Sequence, residues 1–399
     1  MSILSESLSR IKPSPTMAVV KKATELKSAG KDIISLGAGE PDFDTPENIK
    51  QAAIQAIKDG RTKYTVVDGT IELKRAVIGK FKRENNLIYN EKQVSVGVGG
   101  KHVIFNAILA TINPGDEVLI PAPYWVSYPD IVLLAGGTPV IVECEESADF
   151  KILPEQIEKN VNKNTKWIIL NSPSNPTGSV YSEQELKAIG EVLKKFPNVY
   201  IMSDDIYEHV LYTKNNFFTI AQIPELFSRT LTINGLSKSY AMTGWRVGYA
   251  GGPENIIQGI AKIQSQSTTN TSSISQAAAE EALNGTQNFI KIRSDAFKER
   301  RDFVVKKLNS IKGLSCKNPE GAFYVFPSCK DCIGKKDANK KEIINDTDFV
   351  TSLLENTGVA VVQGSAFGKE GYFRISYATS LKNLSKALDK IEEYCKQLS

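Results

Sequence analysis

The chain has 399 residues, more than one hydrophobic core usually supports, so a large domain and a smaller one are expected. Its composition, 41% hydrophobic and 24% charged with no low-complexity tract, excludes a disordered or fibrous chain, and no stretch is apolar enough to span a bilayer. A formal net charge of +4 is too small to mark a nucleic-acid surface.

Taken in chain order, the N-terminal MSILSESLSRIKPS lacks the apolar core of a signal peptide, which makes a cytoplasmic location the expectation. From 46 to 290, short β-rich runs alternate with segments of helical spacing. The runs are QVSVGV (93–98), DEVLIP (116–121), TPVIVEC (138–144), WIILN (167–171), VYIMSD (199–204), TLTING (230–235) and WRVGYAG (245–251). Several are nearly continuous apolar runs, as in strands buried on both faces, so the alternation predicts an α/β domain on a mainly parallel sheet. From 291 to 399 the pattern changes to a long charged helix, short strands (AFYVFP, YFRISYA) and a terminal helix. That pattern predicts a smaller α+β domain, joined by residues 1–45.

Two histidines, His102 and His209, are too few for most metal sites and weaken any Ser-His-Asp or papain-like reading; no metal is expected. A cofactor is then the natural source of chemical power. Five cysteines fit a reducing compartment, and Cys329 and Cys332 read as two loop cysteines rather than a redox or zinc pair. The basic run Lys335, Lys336, Lys340, Lys341 reads as a solvated loop.

Ligands of open α/β sheets bind beyond the carboxyl ends of the strands. There the chain places Gly99-Gly100-Lys101, Pro123-Tyr124-Trp125, Asn175-Pro176-Thr177-Gly178, Asp204-Asp205-Ile206-Tyr207 and Leu236-Ser237-Lys238. The first opens a helix, where backbone N–H groups and the helix dipole suit a phosphate, although it is neither a Walker A nor a GxGxxG motif.

The stretch from Gly235 to Gly248, with Lys238 and Arg246 eight residues apart, resembles the cofactor-attachment motif of class I pyridoxal-phosphate-dependent aminotransferases. Gly39-Glu40-Pro41-Asp42, Tyr64 with Asp68-Gly69, Asn175 to Gly178, Asp204 with Tyr207, and Phe373-Arg374 stand in that family's order over nearly the whole chain. APYWVSYP (122–129) and SQSTT (265–269) look like the bacterial aspartate aminotransferase branch. The resemblance implies a fold-type I transferase, a homodimer with shared active sites, and pyridoxal 5'-phosphate as cofactor. Its substrates would be small amino acids and 2-oxo acids, with neither nucleic acid nor membrane as partner. Aspartate or glutamate would be the donor, 2-oxoglutarate or oxaloacetate the acceptor, and prephenate a further acceptor.

By the same resemblance, Lys238 would form the Schiff base and act as the base, which needs an amine perturbed from its usual pKa of about 10.4. Asp204 would pair with the pyridine nitrogen, and Tyr207 and Asn175 would donate to the phenolic oxygen. Arg246, Gly99, Gly100, Lys101 and the partner subunit's Tyr64 would hold the phosphate, and Trp125 would stack on the ring. Arg374 and Gly39 would take the substrate α-carboxylate, with Trp125 and Asn175 beside it, and Lys12 or Lys101 a second carboxylate. Three positions depart from the family pattern: Asp205 stands where many relatives carry Glu, Gly235 stands where the mammalian branch has a phosphate-binding Ser, leaving Ser237 or nothing in that role, and the mammalian arginine for a second carboxylate has no counterpart. Other reactions of the same cofactor, a non-enzymatic cofactor sensor and a nucleotide-binding oxidoreductase are the competing readings.

Overall fold

The computed structural model of the chain describes residues 3–13, 15–214 and 216–399. The apolar runs form a seven-stranded sheet of order β2-β8-β7-β6-β5-β3-β4. Its strands are β2 (Val94–Gly97), β3 (Glu117–Ala122), β4 (Thr138–Glu143), β5 (Thr165–Asn171), β6 (Tyr200–Asp204), β7 (Thr230–Gly235) and β8 (Gly248–Gly251). Only β8 runs against its neighbours, so the other six strands end on one edge.

Side chains alternate across a strand, and here both faces are covered. Val118, Ile120, Trp167, Ile169 and Met202 pack into one apolar cluster with the helices Gly100–Thr111 and Glu254–Ser265. Leu119, Ile168, Leu170 and Ile201 pack into the opposite cluster with the helix Glu183–Lys194. That helix shows how local sequence sets an element. Ser182 accepts from the Glu185 amide while the Glu185 carboxylate accepts from the Ser182 amide at 2.7 Å, and Leu186, Ile189 and Leu193 recur on its buried face. Each such buried leucine or isoleucine contributes roughly 2 kcal/mol of apolar transfer.

A second body is built from both ends of the chain. β1 (Ile34–Ser35) pairs in parallel with β10 (Val359–Ala360), and β9 (Tyr324–Val325), β12 (Phe373–Ser376) and β11 (Val362–Gln363) form an antiparallel sheet with β12 central. Ile34 and Leu36 share a core with Phe297, Phe323, Phe349 and Leu388. The helices Asn288–Asn309 and Leu381–Gln397 cover it.

One local reading changes. The run 245–251 is a strand only from Gly248, because Arg246 takes a left-handed φ of +54° that no strand accommodates. The loop cysteines Cys329 and Cys332 sit fully buried at a short 3-10 turn (Lys330–Cys332), and all five cysteines are free and buried. No helix among the described residues is long and apolar enough to cross a membrane.

Candidate active site

The strand ends and the second body enclose a cavity of about 430 Å³. It brings together Gly39, Gly100, Lys101, Trp125, Asn175, Asp204, Tyr207, Lys238, Arg246 and Arg374, separated by up to 335 residues along the chain. Gly99 stands behind Arg246, where a Cβ would come within 2.5 Å of the guanidinium Nη2. Its φ of +86° likewise calls for glycine at the mouth of the helix Gly100–Thr111.

Lys238 lies three residues beyond the end of β7, and its Nζ donates to the Gly39 carbonyl at 2.6 Å. Burial, and then the neighbouring Arg374 and Arg246, pull its pKa from 10.5 to about 8. An amine so perturbed can serve as nucleophile and proton carrier near neutral pH. Asp204 closes β6 on the cavity floor; the Tyr128 hydroxyl donates to its Oδ2 at 2.5 Å. Burial raises its carboxyl to about 6, against the pull of Tyr128, the Ile206 amide and Lys238.

Arg374, on β12, donates from Nη1 to Asn175 Oδ1 at 2.8 Å and from Nη2 to the Gly37 carbonyl at 2.5 Å. Its Nε is buried with no protein partner, and among the described residues no carboxylate pairs with it. Arg246 leans on the Thr243 carbonyl at 2.9 Å, and its left-handed backbone aims the guanidinium at the Gly99 turn. Lys101 Nζ stands 4.9 Å from the Trp125 ring centroid, and burial, then Arg246, lower its pKa. Four cationic side chains thus face Asp204 and Glu40, a field that suits a ligand with several anionic groups.

Gly235 has no room for a side chain: a Cβ there would come within 3.0 Å of Ile206 Cδ1 and 3.2 Å of the Gly248 Cα. Ser237 lines the cavity instead. Tyr64 does not reach this cavity and is 88% exposed. Lys12 is exposed and also outside the lining; burial raises the Asp130 carboxyl, and the Lys12 charge pulls it back.

Tyr324 and Tyr128 escaped the sequence reading. Tyr324, read only as part of a short strand, is fully buried with its hydroxyl 2.8 Å from that of Tyr207 and its ring 4.6 Å from the Arg374 guanidinium. Tyr128, within APYWVSYP, is buried and bonds Asp204.

The family described as aminotransferase class I and II matches residues 31–391. The aspartate/prephenate aminotransferase of Cereibacter sphaeroides (strain ATCC 17029 / ATH 2.4.9) is 58% identical over the full length of both chains. Among solved structures, the aspartate aminotransferase from Rhizobium meliloti superposes with a TM-score of 0.97 at 50% identity, covering all of both chains. The aspartate aminotransferase from Thermus thermophilus with maleate gives 0.93 at 41%, covering 99% of this chain and all of the other.

Proposed function

The chain belongs to the class I and II aminotransferases, and we propose that it is a pyridoxal-phosphate enzyme that moves amino groups between aspartate or glutamate and 2-oxo acids, prephenate included. That it is an aminotransferase follows from its full-length relatives. The observation that carries the finer reading is the placing of one perturbed amine, Lys238, between a buried carboxylate and an unneutralised arginine in a single cavity.

The residues present fit the cofactor. The glycine turn at Gly99 and Gly100, which a Cβ at Gly99 would fill, lies against Arg246 and suits a phosphate with Lys101 and Ser237 nearby. Asp204 suits a pyridinium nitrogen, Tyr207 and Asn175 a phenolate oxygen, and Trp125 an aromatic face. Bound there, pyridoxal phosphate would supply the electron sink for the carbanion formed at the substrate Cα. The protein's part is the rest. Arg374, held by Asn175 and Gly37, would grip the α-carboxylate with its fork, and the Gly39 amide would add a donor. Lys238 Nζ would take the proton from the substrate Cα and deliver it to C4′ of the cofactor. Asp204 would hold the pyridine proton in place.

Lys101 within the cavity, and Lys12 outside its lining but near Asp130, are the cations we assign to a second carboxylate. The Thermus thermophilus relative, solved with maleate, and the Cereibacter sphaeroides relative, named for prephenate, support dicarboxylic substrates. We assign Tyr64 to the cavity of a second copy in a homodimer, which its 88% exposure beside the 66% exposed Val66 supports. In this reading the two bodies are domains of residues 46–290 and of 1–45 with 291–399. Five free cysteines support the cytoplasm as the compartment.

The test is a half-reaction: single amino acids are added to the cofactor-loaded protein and its visible absorbance is followed. Aspartate and glutamate should convert the spectrum, and Lys101→Ser should weaken aspartate about a hundredfold while sparing alanine. A spectrum that no amino acid changes would overturn the reading.

A further inference from the structure

We propose that Tyr324 is a positioning residue: its hydroxyl donates to the Tyr207 oxygen, so that the single Tyr207 proton is committed to the ligand in the cavity. The inference rests on the reading above. A phenol has one hydrogen to donate. If Tyr207 gives its hydrogen to the cofactor's phenolic oxygen, the 2.8 Å contact between the two hydroxyls is a hydrogen bond only with Tyr324 as donor. Tyr324 is well placed for that. It is fully buried, it lines the cavity, and among the described residues its hydroxyl bonds Tyr207 alone. Its ring lies under Arg374, so its position is tied to that guanidinium.

The local sequence keeps this hydroxyl where it is. Tyr324 starts β9, which pairs with β12, the strand that carries Arg374, so both side chains come from adjacent strands of one small sheet. On the other side, Gly39 lies so close that a Cβ there would come 2.5 Å from the Tyr324 oxygen. The same Gly39 carbonyl accepts from Lys238. One phenol therefore touches the element that holds the reactive amine, stacks on the carboxylate fork, and orients the phenolic donor. Hydrogen bonds in a chain polarise one another, so donation from Tyr324 strengthens donation by Tyr207. A stronger donor stabilises the anionic phenolic oxygen and thereby lowers the proton affinity of the nitrogen linked to Lys238.

The experiment is a spectrophotometric pH titration of the holoenzyme's visible band, read without turnover. Tyr324→Phe keeps the ring under Arg374 and removes only the hydroxyl. It should raise the apparent pKa of the band by about half a unit, roughly threefold in proton binding. Tyr207→Phe should raise it further, and adding Tyr324→Phe to Tyr207→Phe should change nothing more. Gly39→Ala, which crowds the Tyr324 oxygen without altering either ring, should shift the band in the same direction. An unmoved pKa in Tyr324→Phe with an unchanged melting temperature overturns the proposal. So does a shift that persists undiminished in the Tyr207→Phe background, because Tyr324 would then act directly. A wild-type protein with no visible band would instead overturn the cofactor reading.

Discussion

The two bodies contribute to one cavity in different ways. The seven-stranded sheet delivers Asp204 and Lys238 at or just beyond the ends of strands buried on both faces, in short polar turns. The three-stranded sheet delivers Tyr324 and Arg374 from within its strands, two residues out of register and so on one face of a ladder in which Val325 faces Ile375 and Tyr324 faces Ser376. The first region separates packing from chemistry along the chain. The second makes the same short elements do both, so a change there alters grip and fold together.

That contrast can be broken at graded cost. Lys238→Ala should be the most severe for chemistry: turnover should fall by several orders of magnitude while some cofactor binding survives, since the phosphate turn is untouched. Near-normal steady-state rates would remove Lys238 from the centre of the site. Next comes a buried ion pair beside β7. Lys80 is fully buried, and its Nζ lies on Glu208 and donates to Asn85, while Asn234 donates to Glu208 at 2.8 Å. Lys80→Met would leave Glu208 buried without its cation and should cost about 3–5 kcal/mol in urea unfolding. A loss below about 1 kcal/mol would mean water or His209 takes over.

The sheet edge should also show its burial in a pH profile. Burial raises Asp204 to about 6 and Asp205 to about 7, from 3.8 in an unfolded chain. Between these values the folded state binds more protons than the unfolded one, so the stability of the cofactor-free protein should fall as pH rises from about 4 to 7. Asp205→Asn should flatten the upper part of that fall by about 2–3 kcal/mol; parallel wild-type and variant profiles would contradict it. Glu84, held near 2, acts in the opposite sense but below this window.

In the small sheet, Arg374→Lys should raise KM for the amino acid about ten- to hundredfold, because a point charge replaces a fork, with a smaller effect on kcat. Equal losses in both would place Arg374 in the chemical step. The smallest effect belongs to the seam between the bodies. There Lys317 meets Asp149 at 2.7 Å with both side chains about half exposed. Lys317→Ala should cost less than about 1 kcal/mol and lose even that in high salt.

The same contrast decides what could be read from the chain alone. Apolar runs such as 167–171 announce strands because two packed faces leave no polar position. The turns after them stand out because chemistry has to be polar where packing is not. Tyr324 offered no such signal, since an aromatic in AFYVFP satisfies β packing by itself and only its hydroxyl's neighbour, 117 residues away, reveals more. The truncated strand at 245–251 was hidden for a different reason. Nothing in Trp245-Arg246-Val247 marks a left-handed residue, which the tertiary position of the guanidinium imposes. Tyr64 and Lys12 lie beyond what a single copy's cavity encloses.

The pairing of Ile34–Ser35 with Val359–Ala360 has a consequence for synthesis on the ribosome. The first partner emerges more than 300 residues before the second, a delay of about 15–65 s at ordinary elongation rates. During that interval Ile34 and Leu36, later buried against the C-terminal body, have no core to enter, whereas the strands from β2 to β8 can already assemble. A nascent chain stalled before residue 358 should therefore carry a formed sheet and a loose N-terminal segment, open to proteases or chaperones until the last strands arrive.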